Sequence, residues 1–290
     1  MVTYPNVLVG YDGTDEGEAA LRWAVEEARL RGRDLLVCHC WRWPFPISYI
    51  DYDIEHVVRR MGEHLLDQGV ARARRLAPSL TVHKRLMDGP AYAALMHESL
   101  DAEVIVVGAH GGGVHERDEV VLGSTALQLP ARSRRPVVVV REPGDRHERV
   151  VVGVDGSAGG DAALALAFEE AALRGWRLQA VHGCWDPGAV ARTEIALFAD
   201  EDQLKRSCGE LLERTVAPWR VKYPHVEAET SLMLEGPRES LMAAAGAAGL
   251  IVLGSRGGGG IKPMLLGATS TALLQHAPCS VAIAPSMRPS

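Results

Sequence analysis

Long apolar runs are missing from this chain. None approaches the roughly 18 consecutive apolar residues that a membrane-spanning helix needs, which argues against a membrane protein. A basic excess is missing too: lysine and arginine number 31 against 37 aspartates and glutamates, for a formal net charge of −6. That is the wrong sign for a sequence-indifferent nucleic-acid binder. Cysteine is sparse and unpatterned. The five (Cys38, Cys40, Cys184, Cys208 and Cys279) form no C-x-x-C pair and no framework spacing, so a reducing, cytoplasmic compartment is expected. The opening MVTYPNVLVGYDG lacks the basic and apolar regions of a secretory leader, in line with that expectation. What is present is ordinary globular composition, 47% hydrophobic and 23% charged, in 290 residues, a length that suggests two domains.

The chain is written twice. NVLVGYDGT (6–14) returns as RVVVGVDGS (149–157), and LLVCHCW (35–41) as LQAVHGCW (178–185). LMDGPAYAALMHES (86–99) returns as MLEGPRESLMAAAG (233–246), and EVIVVGAHGGG (103–113) as GLIVLGSRGGG (249–259). RRPVVVV (134–140) returns as HAPCSVAIA (276–284). Conserved order and a nearly constant offset mark a tandem duplication. The polar REPGDRHE (141–148) reads as its linker, giving a first domain over 1–142 and a second over 148–290.

Within each half, runs such as VIVV and VVVV are apolar throughout, as in strands buried on both faces of a parallel sheet. They alternate with helical patterns. In 15–31, Ala19, Trp23, Ala24 and Leu30 fall near one face, with Thr14 or Asp15 as N-cap and Gly32 as the stop. Five such alternations predict an α/β fold of two tandem doubly wound parallel five-stranded sheets with flanking helices. Pro130 is expected to interrupt the helix after Gly123-Ser124.

Ligands of such sheets bind beyond the carboxyl ends of the strands, where the strand order reverses. The first strand of each half ends in Asp12-Gly13-Thr14 or Asp155-Gly156-Ser157, and the fourth in Gly108 or Gly254, leading into a glycine-rich loop. If these strands are neighbours, a carboxylate faces backbone amides, which suits a nucleotide. The aspartates could equally cap the following helices, and the two roles are compatible. Gly257–Gly260 is followed by Ile261-Lys262-Pro263, not Gly-Lys-Ser/Thr, so the loop is no P-loop. A G-x-G-x-x-G after strand one is also absent. Cys38 and Cys40 share one strand face and His39 takes the other, so the three do not converge on one metal ion. His39 and His182 read as hydrogen-bonded core histidines. WRWPFP (41–46) reads as loop packing, with a lid over a ligand as the rival, and Arg72, Arg74 and Arg75 as a solvated helical face. No Ser-His-Asp or paired-carboxylate arrangement can be assigned.

The ordered set V-G-x-D-G-S/T, His before a Trp-containing loop, E/D-G-P, and a G-x2-G loop leading to a last glycine before the final helix, found twice, resembles the universal stress proteins in their tandem form, whose loop reads G-x2-G-x9-G-S/T. The resemblance implies their fold, of the adenine nucleotide alpha hydrolase-like type. It also implies binding of ATP or a related adenine nucleotide, with Mg²⁺ as companion, in stress response or signalling. Carried over to the second half, it assigns Asp155 and Gly183 to the base and ribose end, and Gly254, Arg256, Gly257, Gly267, Thr269 and Ser270 to the phosphate end. Ala268 stands where the family has Ser or Thr. In the first half the matches are Asp12, Cys40, Gly108, Gly111, Gly123 and Ser124. There eleven residues (112–122), with Glu116, Asp118 and Glu119, replace the nine spacers, and His110 replaces Arg256. The second site is therefore expected to hold the nucleotide and the first to be altered. The rival functions are a scaffold of the same fold that binds no nucleotide, and a slow ATP hydrolase. Family members pair through the last strand, so PVVVV (136–140) and CSVAIA (279–284) are pairing candidates. A homodimer and an unidentified protein partner are further expectations.

Overall fold

The structure is a computed structural model. It describes residues 6–42, 52–110, 122–141, 147–184, 201–257 and 266–286. The chain divides into two compact units, Met1–Glu142 and Pro143–Ser290.

The first unit runs β1 (Asn6–Gly10), α1 (Asp15–Arg31), β2 (Asp34–Trp41), α2 (Tyr52–Leu76), β3 (Val82–Asp88), α3 (Ala91–Glu98), β4 (Ala102–Gly108), α4 (Ser124–Arg132) and β5 (Val137–Val140). Its sheet is parallel, in the order β3-β2-β1-β4-β5. The second unit runs β6 (Arg149–Gly153), α5 (Ala158–Arg174), β7 (Arg177–Gly183), α6 (Glu201–Lys222), β8 (Ala228–Met233), α7 (Pro237–Ala245), β9 (Leu250–Gly254), α8 (Ala268–His276) and β10 (Ser280–Ala284). Its sheet, β8-β7-β6-β9-β10, is parallel in the same way. Both sheets are thus doubly wound, and the order reverses between the first and fourth strands of each unit. Val7, Leu8 and Val9 of β1 and Val104, Ile105 and Val106 of β4 are completely buried, which explains their unbroken apolar sequence.

Local signals set the helix ends. Thr14 and Ser157 are the N-caps of α1 and α5, accepting from the amides of Gly17 (3.0 Å) and Gly160 (3.1 Å). Gly32 and Gly175 close the same helices in the left-handed conformation, at φ 62° and 66°, which glycine adopts without strain. Pro130 corrects the sequence expectation: α4 continues through it to Arg132. It sits in the last turn, buried, where the missing N–H costs one terminal bond and the kink has no helix left to deflect. Among the described residues, no helix is long and apolar enough to cross a membrane.

Each capped helix also carries a buried ion pair one turn from its end, Glu27 with Arg31 and Glu170 with Arg174. The Glu170–Arg174 contact is 3.1 Å, with side-chain exposures of 1% and 7%. Removing one partner strands a buried charge. Arg174→Ala is expected to lower the stability of the second unit by about 3–5 kcal/mol in urea titrations. Arg177→Ala, which breaks an ion pair to Glu227 that is 67% and 73% exposed, should cost under about 1 kcal/mol. Equal losses would contradict this account.

Candidate functional site

Beyond β1 and β6 the two units build the same turn. Gly13 and Gly156 take positive φ, 76° and 71°, and swing the chain into the following helix. Asp12 Oδ1 accepts from the Thr14 amide (3.2 Å) and hydroxyl (2.6 Å). Asp155 Oδ1 accepts from the Ser157 amide (3.0 Å) and hydroxyl (2.6 Å). The cap is therefore the hydroxyl, and the carboxylate holds the cap. A single carboxylate oxygen does this work, and in the second unit the other meets the glycine loop. A Cβ added to Gly257 would lie 2.5 Å from Asp155 Oδ2, so a side chain there would displace the carboxylate. The aspartate and the second glycine of the G-x2-G motif, about a hundred residues apart in sequence, are neighbours.

The first glycine of that motif serves a different need. A Cβ on Gly254 would fall 2.6 Å from the Gly159 carbonyl oxygen, and one on Gly159 would fall 2.0 Å from the Arg256 carbonyl oxygen. On Gly108 it would meet the Glu16 backbone at 2.9 Å. The first turn of α1 or α5 thus lies backbone to backbone against the end of β4 or β9. The last glycine is held by one repeated bond: the Gly123 amide donates to the Ala109 carbonyl (2.9 Å) and the Gly267 amide to the Ser255 carbonyl (3.0 Å). Eleven intervening residues in one unit and nine in the other leave that bond unchanged.

Gly123 and Gly267 then start α4 and α8 without any side-chain cap bond, so the amides of these first turns have no side chain bound to them at the cap. Ser124 is exposed, Thr269 half-buried, and Ala268 exposed. Ser270 is buried and its hydroxyl donates to the Gly254 carbonyl (2.8 Å). Arg256 is half-buried. In the first unit His110 stands in place of Arg256, with its Nδ1 4.0 Å from a Glu16 carboxylate oxygen. The residue equivalent to Glu16 in the second unit is the buried Gly159.

At the other end of the crevice, His39 Nδ1 donates to the Tyr11 carbonyl (2.8 Å) and His182 Nδ1 to the Val154 carbonyl (2.6 Å). These bonds tie the second strand of each unit to the residue just past the first; the histidines are hydrogen-bonded as expected, but half-buried and not in the core. Gly183 is fitted under the start of α7, where a Cβ would come 2.8 Å from Pro237. Cys40 is half-buried, and burial pushes its thiol pKa up to about 11. Burial also raises the Cys38 thiol, further still.

In the first unit these pieces enclose a cavity of about 140 Å³ whose lining includes Tyr11, Asp12, Cys40, Gly108, Gly123 and Ser124. Tyr11 and Glu16 escaped the sequence reading. Tyr11 is 4% exposed and its hydroxyl donates to Glu18 Oε1 (2.6 Å). Burial, then that bond to a carboxylate, raises its pKa well above the ordinary tyrosine value. Its position one residue before Asp12 was the available signal. Gly111, Glu116, Asp118, Glu119 and residues 43–46 lie outside the described residues.

A sequence model described as the Universal stress protein family matches residues 3–141 and again residues 147–285. The chain belongs to the universal stress protein family. Universal stress protein Rv2005c of Mycobacterium tuberculosis is 32% identical over 298 residues, covering 96% of this chain and 96% of that protein. Universal stress protein Rv2623 of the same organism is 30% identical over 294 residues, covering 96% and 95%. A crystal structure of a universal stress protein from Archaeoglobus fulgidus shares the fold, with a TM-score of 0.70 at 17% identity, covering 97% of this chain and 96% of that one.

Two predictions follow from this geometry. Gly254→Ala must push apart two backbones and is expected to destabilise the second unit by about 1–3 kcal/mol. Gly209→Ala, in α6 with open space around it, should stabilise by up to about 1 kcal/mol. Thermal melts of both variants decide this, and a neutral Gly254→Ala would refute the close-approach account. Iodoacetamide labelling checks the thiol. With a pKa near 11 against an ordinary 9.0, Cys40 in the native protein should react about a hundredfold more slowly than an ordinary exposed thiol at neutral pH. Its rate should keep rising as pH climbs toward 11.

Proposed function

We propose that this universal stress protein binds an adenine nucleotide, ATP with Mg²⁺ foremost, in the carboxyl-end crevice of its second unit. The bound state would then pass to protein partners in a stress response or signalling role. The observation that carries the reading is the approach of Asp155 Oδ2 to the position of Gly257, which sets a carboxylate for ribose or base beside the start of the glycine-rich loop. The first turn of α8, without a side-chain cap, offers amides to an anion. Arg256 supplies a positive charge near it, and Gly159 removes the carboxylate that its first-unit counterpart would place there. The nucleotide-binding members that the motifs resemble use this same crevice.

The first unit supports a second reading. Its cavity contains the corresponding aspartate, Asp12, with Ser124 at the far side, but Glu16 stands beside His110. A carboxylate there repels phosphates, so this crevice favours adenosine over ATP.

Equilibrium titration with labelled ATP and Mg²⁺ is expected to show saturable binding. Asp155→Asn, which keeps the turn's acceptor and removes the charge, should weaken it about ten- to a hundredfold, the loss of one charge-assisted hydrogen bond. Asp12→Asn should leave ATP binding within about twofold, since its loss falls on the other crevice. No saturable binding at millimolar ATP by a protein with intact circular dichroism would overturn the proposal. Equal sensitivity to both substitutions would overturn its assignment to the second unit.

A further inference from the structure

Cys184 directly follows β7, where its amide donates to the Met233 carbonyl (2.9 Å). Its side chain stands beside that of Cys208 on α6. Both residues are half-buried and both are free thiols. The two units show how the pair came to face each other. Leu65 of α2 and Leu211 of α6 occupy equivalent places, over Gly13 and Gly156 (Cβ approaches of 2.5 and 3.1 Å). Three residues earlier in each helix stand Gly62 and Cys208. Two residues past His39 and His182 stand Trp41 and Cys184. In the first unit Gly62 is buried against Trp41, with a Cβ position 3.5 Å from the Trp41 Cβ. Where the first unit packs tryptophan on glycine, the second therefore places two thiols face to face. Of the remaining cysteines, Cys38 and Cys279 are 0% and 1% exposed, and Cys40 is half-buried with its thiol pKa raised by burial.

We propose that Cys184 and Cys208 form a reversible dithiol/disulfide pair, oxidised by low-molecular-weight disulfides, that links the end of β7 to α6. The chemistry balances through two exchanges. The Cys184 thiolate attacks one sulfur of the small disulfide, forming a mixed disulfide and releasing one small thiolate. The Cys208 thiolate then attacks the Cys184 sulfur and expels the second. The two cysteine protons end on two small thiols, and the small disulfide is the species reduced. The order follows from the surroundings. Burial first, then the charge and hydrogen bond of Cys184, push the Cys208 pKa up to about 11, so Cys208 is the poorer first nucleophile. Once Cys184 is tied up in the mixed disulfide it is no longer a thiol, and the contribution it made to holding the Cys208 proton disappears. The product would pin α6, whose Leu211 covers Gly156, to the strand that carries Gly183.

The full-length protein equilibrated with graded mixtures of oxidised and reduced glutathione tests this directly. After acid quenching and alkylation in denaturant, the number of alkylated cysteines should fall from five to three as the mixture becomes oxidising. Unreduced tryptic digests should then contain residues 178–192 joined to residues 207–214, and dithiothreitol should reverse the link. Cys208→Ser should instead accumulate a glutathione adduct on Cys184, which needs no folding comparison because the wild-type digest already decides the pairing. Five alkylated cysteines throughout, or separate glutathione adducts on Cys184 and Cys208 without the joined peptide, would overturn the proposal.

Discussion

The architecture of each crevice rests on one close approach, the contact between the first turn of the helix after strand one and the end of strand four. At Gly254 and Gly159 this contact is backbone against backbone. It closes the sheet's switch point to van der Waals distance and so leaves a crevice instead of a gap. Everything else is arranged around it. The Asp–hydroxyl–amide chain anchors the helix start on one side, and the amide of Gly267 anchors the loop's return on the other. Glycine in these places is thus a packing requirement before it is a ligand-binding one. That is why the motif's first glycine is present in both halves although the residues facing the two crevices differ.

The two units share a frame and differ in what faces the crevice. Glu16 and His110 in one correspond to Gly159 and Arg256 in the other. The exchange reverses the sign of the nearest charge without moving the backbone that carries it. Trp41 over Gly62 corresponds to Cys184 beside Cys208, so a bulky packing contact in one half is a pair of thiols in the other. Duplication allows this, because either half can change chemistry while its twin keeps the older arrangement.

Much of this was legible in the sequence. The duplication, the parallel sheets, the caps at Thr14 and Gly32 and the histidine hydrogen bonds follow from local patterns that tertiary contacts did not override. Other features were hidden because they depend on contacts distant in sequence. Pro130 looked like a helix breaker because sequence does not reveal that the helix is already ending. Ser270 looked like a phosphate donor, and only packing shows its hydroxyl turned to the Gly254 carbonyl. Tyr11 drew no attention in the sequence because its partner, Glu18, lies seven positions on and meets its hydroxyl only in the fold. The cysteine pair, its members 24 positions apart, had no pattern to announce it.

The amide bonds of Gly123 and Gly267 carry one more consequence. They hold the two ends of the connection between strand four and the last helix at a fixed separation. Closure entropy grows only with the logarithm of length, so passing from nine linking residues to eleven adds about 0.2 kcal/mol. The frame therefore presents a port at the mouth of each crevice. Insertions and deletions can accumulate there at almost no thermodynamic cost, and a universal stress protein can be retuned by length as well as by substitution.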